Sequence, residues 1–459
     1  MLNRKIVLLD GRGAGDEDLN PVLDMLMNKL HSTGAAVQTF PLREIKMGSC
    51  SGCLGCWLKT PGICVEPDAG RDIARAVVQS DTTILFGPVT FGGHSSEIKK
   101  IQERCLPINM PDFGVYHGEV YHLPRYKQYP RLVGIGIQRQ PHNESANLFK
   151  VLVGRNALNF HAPTYAAEVI LSTDDPGRVR QQLQAVLVRN DRLPSSQVAA
   201  SLLQTAVTAS VSAPTLDAPG RVLSIVGSPK VESPSTSSVL GGYVVEQLKQ
   251  RGWETESLTL RGHLLNGEGQ TEFLAAFDRA DLILLVFPLY IDSLPFLMMK
   301  SLEVMAEHIS AHSQESPKRL FAISNNGAPE AHHNAVALSI CRQFAAATGM
   351  IWSGGLAMGG GVILNGQPIE EAQRKGLPVK HISQALDLAS AALADGQIVT
   401  PEAAKLMTKI PIPFMPFRLW RWLYIKLVNR IIRQMAAANQ VGEKERFAQP
   451  YAEVGSAID

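Results

Sequence analysis

Cys50, Cys53, Cys56 and Cys64 crowd into one run, MGSCSGCLGCWLKTPGICVE (47–66). Two short spacers put three thiolates on one tight loop, and the turn at Pro61-Gly62 brings in a fourth. Four cysteines is the ligand count of a [4Fe–4S] cluster. Four-cysteine zinc is the rival, although structural zinc sites usually divide their ligands into two distant pairs. Unmetallated thiols are the third reading. Cys105 and Cys341 stand alone. This clustering points to metal or redox use rather than a disulfide framework.

A second chemical stretch is SIVGSPKVESPSTSS (224–238). It leaves an apolar strand, breaks at Gly227 and Pro229, and offers Ser228, Ser233, Ser235, Thr236, Ser237 and Ser238 before a helix. The free N–H groups and positive end of a helix, with hydroxyls beside them, make an anion seat. A solvated Ser-rich turn is the plain alternative.

The elements that must position these stretches alternate. Strands are read at 4–10, 36–40, 82–87, 132–137 and 166–171, with helices between. Residues 108–130, rich in Pro, Tyr and His, read as an irregular insertion. The pattern restarts with strands at 222–226, 255–260, 282–287, 319–324 and 351–357. Such alternation means a parallel sheet covered on both faces, and its repetition means a duplication at domain scale. The expected fold is α/β: two tandem flavodoxin-like, doubly wound, five-stranded parallel sheets with a C-terminal amphipathic helix. The expected divisions are 1–192, a linker at 193–219 with a short helix near 196–208, 220–400, and a tail at 401–459. Ligands of this fold bind at the carboxyl ends of the strands, so the loops after strands one, three and four should converge. In the second repeat these are the serine loop, Pro288-Leu289-Tyr290 and Ser324-Asn325-Asn326-Gly327.

Residues 221–356 resemble the NADPH-dependent FMN reductase and flavodoxin-like oxidoreductase families. The matching motifs are Gly227-Ser-Pro-Lys230 with the Ser233–Ser238 cluster, and Pro288-Leu-Tyr290. The resemblance implies FMN. Ser228, Lys230, Ser235, Thr236, Ser237 and Ser238 would lie at its phosphate, and Pro288, Leu289, Tyr290, Ile291, Asn325, Asn326 and Gly327 at its ring. NAD(P)H would be a transient co-substrate, since no G-x-G-x-x-G signature is present.

The first repeat resembles the iron–sulfur flavoprotein family over most of residues 4–170. It carries the compact cysteine motif after strand two and the segment GPVTFGGHSSEIKKIQER (87–104). Thr90 stands where that family usually has Tyr, and Glu103 where Asp is usual. At its phosphate loop, DGRGAGDEDLN (10–20), Asp16, Glu17 and Asp18 replace hydroxyls and would repel a phosphate by about 1 kcal/mol each. The expectation is FMN in the second repeat and the cluster in the first.

In residues 410–435, Trp420, Leu423, Tyr424, Leu427, Ile431 and Met435 make one helical stripe, and Arg418, Lys426, Arg430 and Arg433 lie elsewhere. The stripe is expected to dock on the body or on a second copy, with an anionic membrane surface as the rival. Net charge of only +2 argues against a nucleic-acid partner. No apolar run reads as a signal peptide or a membrane span, so the expected location is the cytoplasm. His94, His142, His161, His332 and His333 lack ligand spacing and read as surface or pocket residues. The expected activity is flavin-dependent electron transfer between NAD(P)H or a protein donor, FMN and the cluster. Two alternatives stand beside it: a plain NAD(P)H-dependent quinone or FMN reductase without iron, and a thiol redox sensor or scaffold.

Overall fold

The computed structural model describes residues 4–208, 219–230, 233–312, 316–412 and 414–453. The chain divides into two units. One comprises residues 1–195 and 425–459, the other residues 196–424.

The first unit runs β1 (Lys5–Asp10), α1 (Asn20–Ser32), β2 (Ala36–Pro41), α2 (Gly55–Leu58), α3 (Ala69–Val78), β3 (Thr82–Pro88), α4 (Ser96–Arg104), β4 (Asn109–Tyr116), β5 (Glu119–Pro124), β6 (Arg131–Gln138), α5 (Asn143–Asn159), β7 (Tyr165–Leu171) and α6 (Pro176–Val188). Its sheet is parallel, in the order β2-β1-β3-β6-β7. Strand β3 is centred on Ile84, Leu85 and Phe86 and buried on both faces, as a central parallel strand requires. Its side chains feed two clusters. One holds Leu85, Ile73, Ile101 and Phe149, the other Phe86, Leu26, Val133 and Leu183.

The second unit runs α7 (Ser196–Val207), β8 (Arg221–Val226), α8 (Thr236–Lys249), β9 (Glu254–Thr259), α9 (Gly267–Arg279), β10 (Leu282–Pro288), α10 (Phe296–Ala311), β11 (Arg319–Asn325), α11 (Ala335–Ala347), β12 (Ile351–Met358), α12 (Ile369–Arg374), α13 (Lys380–Ala394) and α14 (Pro401–Met407). Its order, β9-β8-β10-β11-β12, repeats that of the first unit. Both are flavodoxin-like, with the switch point beside the first and third strands. Helix α15 (Phe417–Ala438) crosses the division, and α16 (Glu443–Arg446) follows it.

Four expectations need correction. Residues 108–130 are not irregular: β4 and β5 form an antiparallel hairpin. Its turn is His117-Gly118, both at positive φ, the backbone a tight hairpin requires. The helix expected near 196–208 is present as α7, but it belongs to the second unit rather than to a linker, its Ala206 carbonyl accepting a hydrogen bond from Trp352 Nε1 at 3.1 Å. The expected tail does not stay together. Ala403, Ala404 and Met407 join the second unit's core, while Asn429 exchanges two hydrogen bonds with Phe113 of the hairpin, at 2.8 and 2.9 Å. The stripe on α15 is also narrower than expected. Trp420, Tyr424, Val428 and Ala436 are buried, whereas Leu423, Leu427 and Met435 are exposed. The inward row repeats every fourth residue, and the neighbouring row is left to solvent. Among the described residues, no helix is long and apolar enough to cross a membrane.

Candidate functional site

In the second unit the three loops expected to converge do so on Asn325. Its side-chain amide donates to Ser237 Oγ at 2.8 Å and to the Phe287 carbonyl at 3.1 Å, and its own carbonyl accepts from Leu289 N at 2.7 Å. One residue therefore ties the serine loop, the end of β10 and the end of β11 together.

The serine loop ends in a capping box. Ser238 N donates to Ser235 Oγ at 3.0 Å, and Ser235 N donates to Ser238 Oγ at 2.9 Å. These hydroxyls fix the entry of α8. Ser237 is buried, and Thr236 Oγ1 donates to the Gly361 carbonyl at 2.9 Å. Arg261 holds the loop from behind, donating to the Ser228 and Lys230 carbonyls, each at 3.1 Å. Sequence reading missed Arg261, which lies after the following strand and carries no motif. The exposed Lys230 stands at the rim.

After β10, Tyr290 and Ser293 exchange backbone hydrogen bonds at 3.0 and 3.2 Å. Ile291 and Asp292 between them have φ of 48° and 56°. This is a type I′ turn made without glycine, at a cost on the order of 1–3 kcal/mol per residue. Pro288, Leu289 and Tyr290 are half-exposed, while Ile291 and Asp292 are buried. Ser293 Oγ is buried with no hydrogen-bond partner among the described residues.

Asn326 is buried and its amide donates to the carbonyls of Ala328 and Glu330, both at 3.2 Å. Both asparagines therefore shape the loop from within. The Gly327 carbonyl accepts from Tyr424 Oη at 2.5 Å. An ionic group behind this loop was also missed: His333 lies 3.8 Å from Asp292 and 3.7 Å from Glu330, all three buried. Of the five histidines read as surface or pocket residues, His94 and His333 are in fact buried.

The first unit repeats the turn after β3. Thr90 and Gly93 exchange backbone hydrogen bonds at 3.0 and 2.7 Å, around Phe91 and Gly92 at φ of 51° and 81°. Its phosphate seat is different. Asp16 Oδ2 accepts from Gly13 N at 2.7 Å, so a carboxylate of the chain takes an N–H of the loop after β1. Asp16 and Asp18 both pair with Arg139 at 2.7 Å. Arg12 pairs with Asp10 in the interior and also donates to Asn20 Oδ1. Asp16 and Asp18 thus share one cation, Arg139, and one N–H of this loop is already taken by the chain's own carboxylate.

The four cysteines lie on the loop between β2 and α3. Cys-x-Gly occurs twice, and each time the glycine N–H turns back to the sulfur: Gly52 N to Cys50 Sγ at 3.5 Å and Gly55 N to Cys53 Sγ at 3.4 Å. Gly52 and Leu54 both have positive φ, which curls the loop around its sulfurs. Cys53 is exposed and the other three are half-buried. Burial, then Glu103 and the other cysteines, pushes the Cys50 thiol up to about 12. Cys56 moves the same way, chiefly by burial and then by Cys50 and Cys64. Four thiol donors on one loop are the ligand set of a [4Fe–4S] cluster or of a four-cysteine zinc site. Trp57 roofs the loop, its Nε1 donating to the Asn109 carbonyl at 3.0 Å.

No family model matches the chain. An iron–sulfur flavoprotein of Archaeoglobus fulgidus is 31% identical over 86 residues, 19% of this chain and 38% of that protein. One from Methanocaldococcus jannaschii is 24% identical over 106 residues, 23% of this chain and 54% of that protein. Over these segments the chain is similar in sequence to the two iron–sulfur flavoproteins. The matches span about half or less of those relatives' length. Among solved structures, an NAD(P)H:quinone oxidoreductase from Methanothermobacter marburgensis aligns at 14% identity and TM-score 0.28, over 38% of this chain and all of that one. An FMN-dependent NADH-azoreductase from Bacillus anthracis in complex with FMN aligns at 14% identity and TM-score 0.27, over the same shares. The flavodoxin-like assignment rests on the strand order of the two sheets.

Proposed function

We propose that the chain is a flavin-dependent oxidoreductase whose second unit holds FMN and whose first unit holds a [4Fe–4S] cluster on Cys50, Cys53, Cys56 and Cys64. The carrying observation is that one scaffold, used twice, has diverged at the same loops. The second unit brings hydroxyls and a capping box to the amino end of α8, which suits an anion. The first gives one N–H of the corresponding loop to Asp16 and adds the cysteine loop.

On this reading the FMN phosphate falls to the amino end of α8 with Ser228, Lys230 and Ser235–Ser238. The capping box and Asn325 hold that end in place. The ring falls to Pro288, Leu289 and Tyr290, with Ile291 contributing backbone and Ser293 Oγ an unsatisfied donor. Asn325, Asn326 and Gly327 form the wall. Bound FMN handles electrons singly or in pairs, and a cluster handles them singly. We extend to this chain the nicotinamide donor in the names of the two solved structures.

The test is an absorbance spectrum of anaerobically purified full-length protein, with iron and released FMN counted per chain. Four iron and one FMN is the expected result. Flavin without iron favours the plain reductase, two FMN removes the division between units, and neither cofactor leaves a thiol sensor or scaffold.

A further inference from the structure

The chain carries no acid between Glu402 and Glu443, whereas Arg418, Arg421, Lys426, Arg430 and Arg433 all lie on α15. The inner side of this helix is accounted for. Trp420, Tyr424, Val428 and Ala436 are buried, and Arg421 reaches toward Glu330 at 3.7 Å. The outer side carries a second row. Leu419, Trp422, Leu423 and Leu427 are exposed, and so are Lys426, Arg430 and Arg433. Spacings of three and four residues put all of these on one face. Its apolar members lie toward the amino end, where exposed Phe414 and Phe417 precede them. Its basic members lie toward the carboxyl end.

Exposed hydrocarbon that runs directly into cations, with no carboxylate among them, fits a surface that is both greasy and negatively charged. Aromatic side chains settle at the boundary between lipid head groups and acyl chains. Lysine and arginine lay their stems along apolar surface while their charges reach outward to anions. A second copy of the chain fits less well. It would bring the same face, so cations would meet cations or leucines, and a buried cation without a partner is costly. No described helix is long and apolar enough to cross a membrane, so α15 would lie along such a surface rather than through it.

We propose that the outer face of α15 is a peripheral membrane-binding surface for bilayers that bear anionic head groups. Phe414, Phe417, Trp422 and the three leucines enter the head-group boundary, and Lys426, Arg430 and Arg433 lie over the charged head groups. The buried row stays with the protein, so binding requires no unfolding of the helix. The surface is independent of the cofactors proposed above.

The chain contains its own probe. Of its five tryptophans, Trp57, Trp253, Trp352 and Trp420 are buried and Trp422 is exposed. The full-length protein is sedimented with vesicles of phosphatidylcholine alone, and with vesicles of phosphatidylcholine and phosphatidylglycerol in equal parts. Tryptophan emission is read on both, with and without bromine on the acyl chains. The expected result is binding to the anionic vesicles that weakens with salt, with a blue shift and quenching by bromine. Lys426→Gln, Arg430→Gln and Arg433→Gln together should weaken binding by about a hundredfold, at about fivefold for each charge. Lys249→Gln, Arg251→Gln and Arg374→Gln, at exposed positions elsewhere, remove the same charge and should weaken it far less. Trp422→Ser with Leu423→Ser should cost about tenfold. Trp422→Phe should keep the binding and lose the quenching. No binding to anionic vesicles, equal binding to neutral ones, or an equal loss in the charge-matched control would overturn the assignment. Light scattering without lipid tests the rival occupant: a dimer that Trp422→Ser with Leu423→Ser dissolves would give this face to a second copy instead.

Discussion

Arg104 and Asp68 close the cysteine loop. The Arg104 guanidinium meets the Asp68 carboxylate with two hydrogen bonds, at 2.6 and 2.8 Å. The same guanidinium donates to the Gly48 carbonyl at 2.8 Å and the Glu66 carbonyl at 3.3 Å. Gly48 precedes the first cysteine and Glu66 follows the last, so one buried side chain from the end of α4 holds both ends of the loop. Asp68 also caps α3 through Gly70 N. The guanidinium holds the Asp68 carboxyl below the usual carboxylate range despite partial burial.

Arg104→Leu should lower unfolding free energy by about 3 kcal/mol, because the partner is left uncompensated. It should also reduce the iron taken up on anaerobic reconstitution. Arg104→Lys keeps the charge but not the two-pronged geometry, and should recover stability better than iron content. Urea titration and iron assay check both. Unchanged iron in Arg104→Leu would remove the clasp from the site's construction.

The two anion seats should respond in opposite ways. Ser238→Ala breaks the capping box, should cost about 1 kcal/mol, and should lower the FMN retained after gel filtration. Asp16→Ala should leave FMN retention unchanged, since the proposed division puts the flavin in the second unit. A fall in FMN with Asp16→Ala would place flavin in the first unit.

Thiol reactivity should sort by burial. Cys105 and Cys341 are buried and closed to a reagent, whereas the four cysteines of the loop are exposed or half-buried. After iron removal under reducing conditions, four thiols should titrate in the native protein and six in denaturant. Cys53, the exposed one, should react first. Six reactive thiols in the native protein would contradict the packing of α4 and α11.

His94 sets a pH dependence of the first unit. It is buried and donates through Nε2 to Asn156 Oδ1 at 2.9 Å, and burial lowers it from 6.5 to about 4. The folded ring stays neutral where the unfolded ring takes a proton. Its contribution is therefore constant above pH 6.5 and is lost as pH falls from 6.5 toward 4, at about 1.4 kcal/mol per unit. His94→Gln should flatten the denaturation midpoint against pH in that window. An unchanged slope would assign the acid sensitivity elsewhere.

Read alone, the sequence determined the two five-stranded units, because buried parallel strands and amphipathic helices write their periods locally. It also marked out the cysteine loop and the serine loop, whose residues are contiguous. What only the tertiary structure decided depends on residues distant in sequence. Arg104 reaches back to Gly48 and Asp68, Asn325 joins three loops, and Asp16 takes an N–H of a loop where its charge alone suggested mere repulsion. The hairpin reads as irregular because its pairing register shifts between Asn109 and Phe113, which hides the alternation of a strand. The narrow buried row of α15 was equally hidden: a helix's apolar residues mark a broad face, and the surfaces it meets select which part of that face is covered.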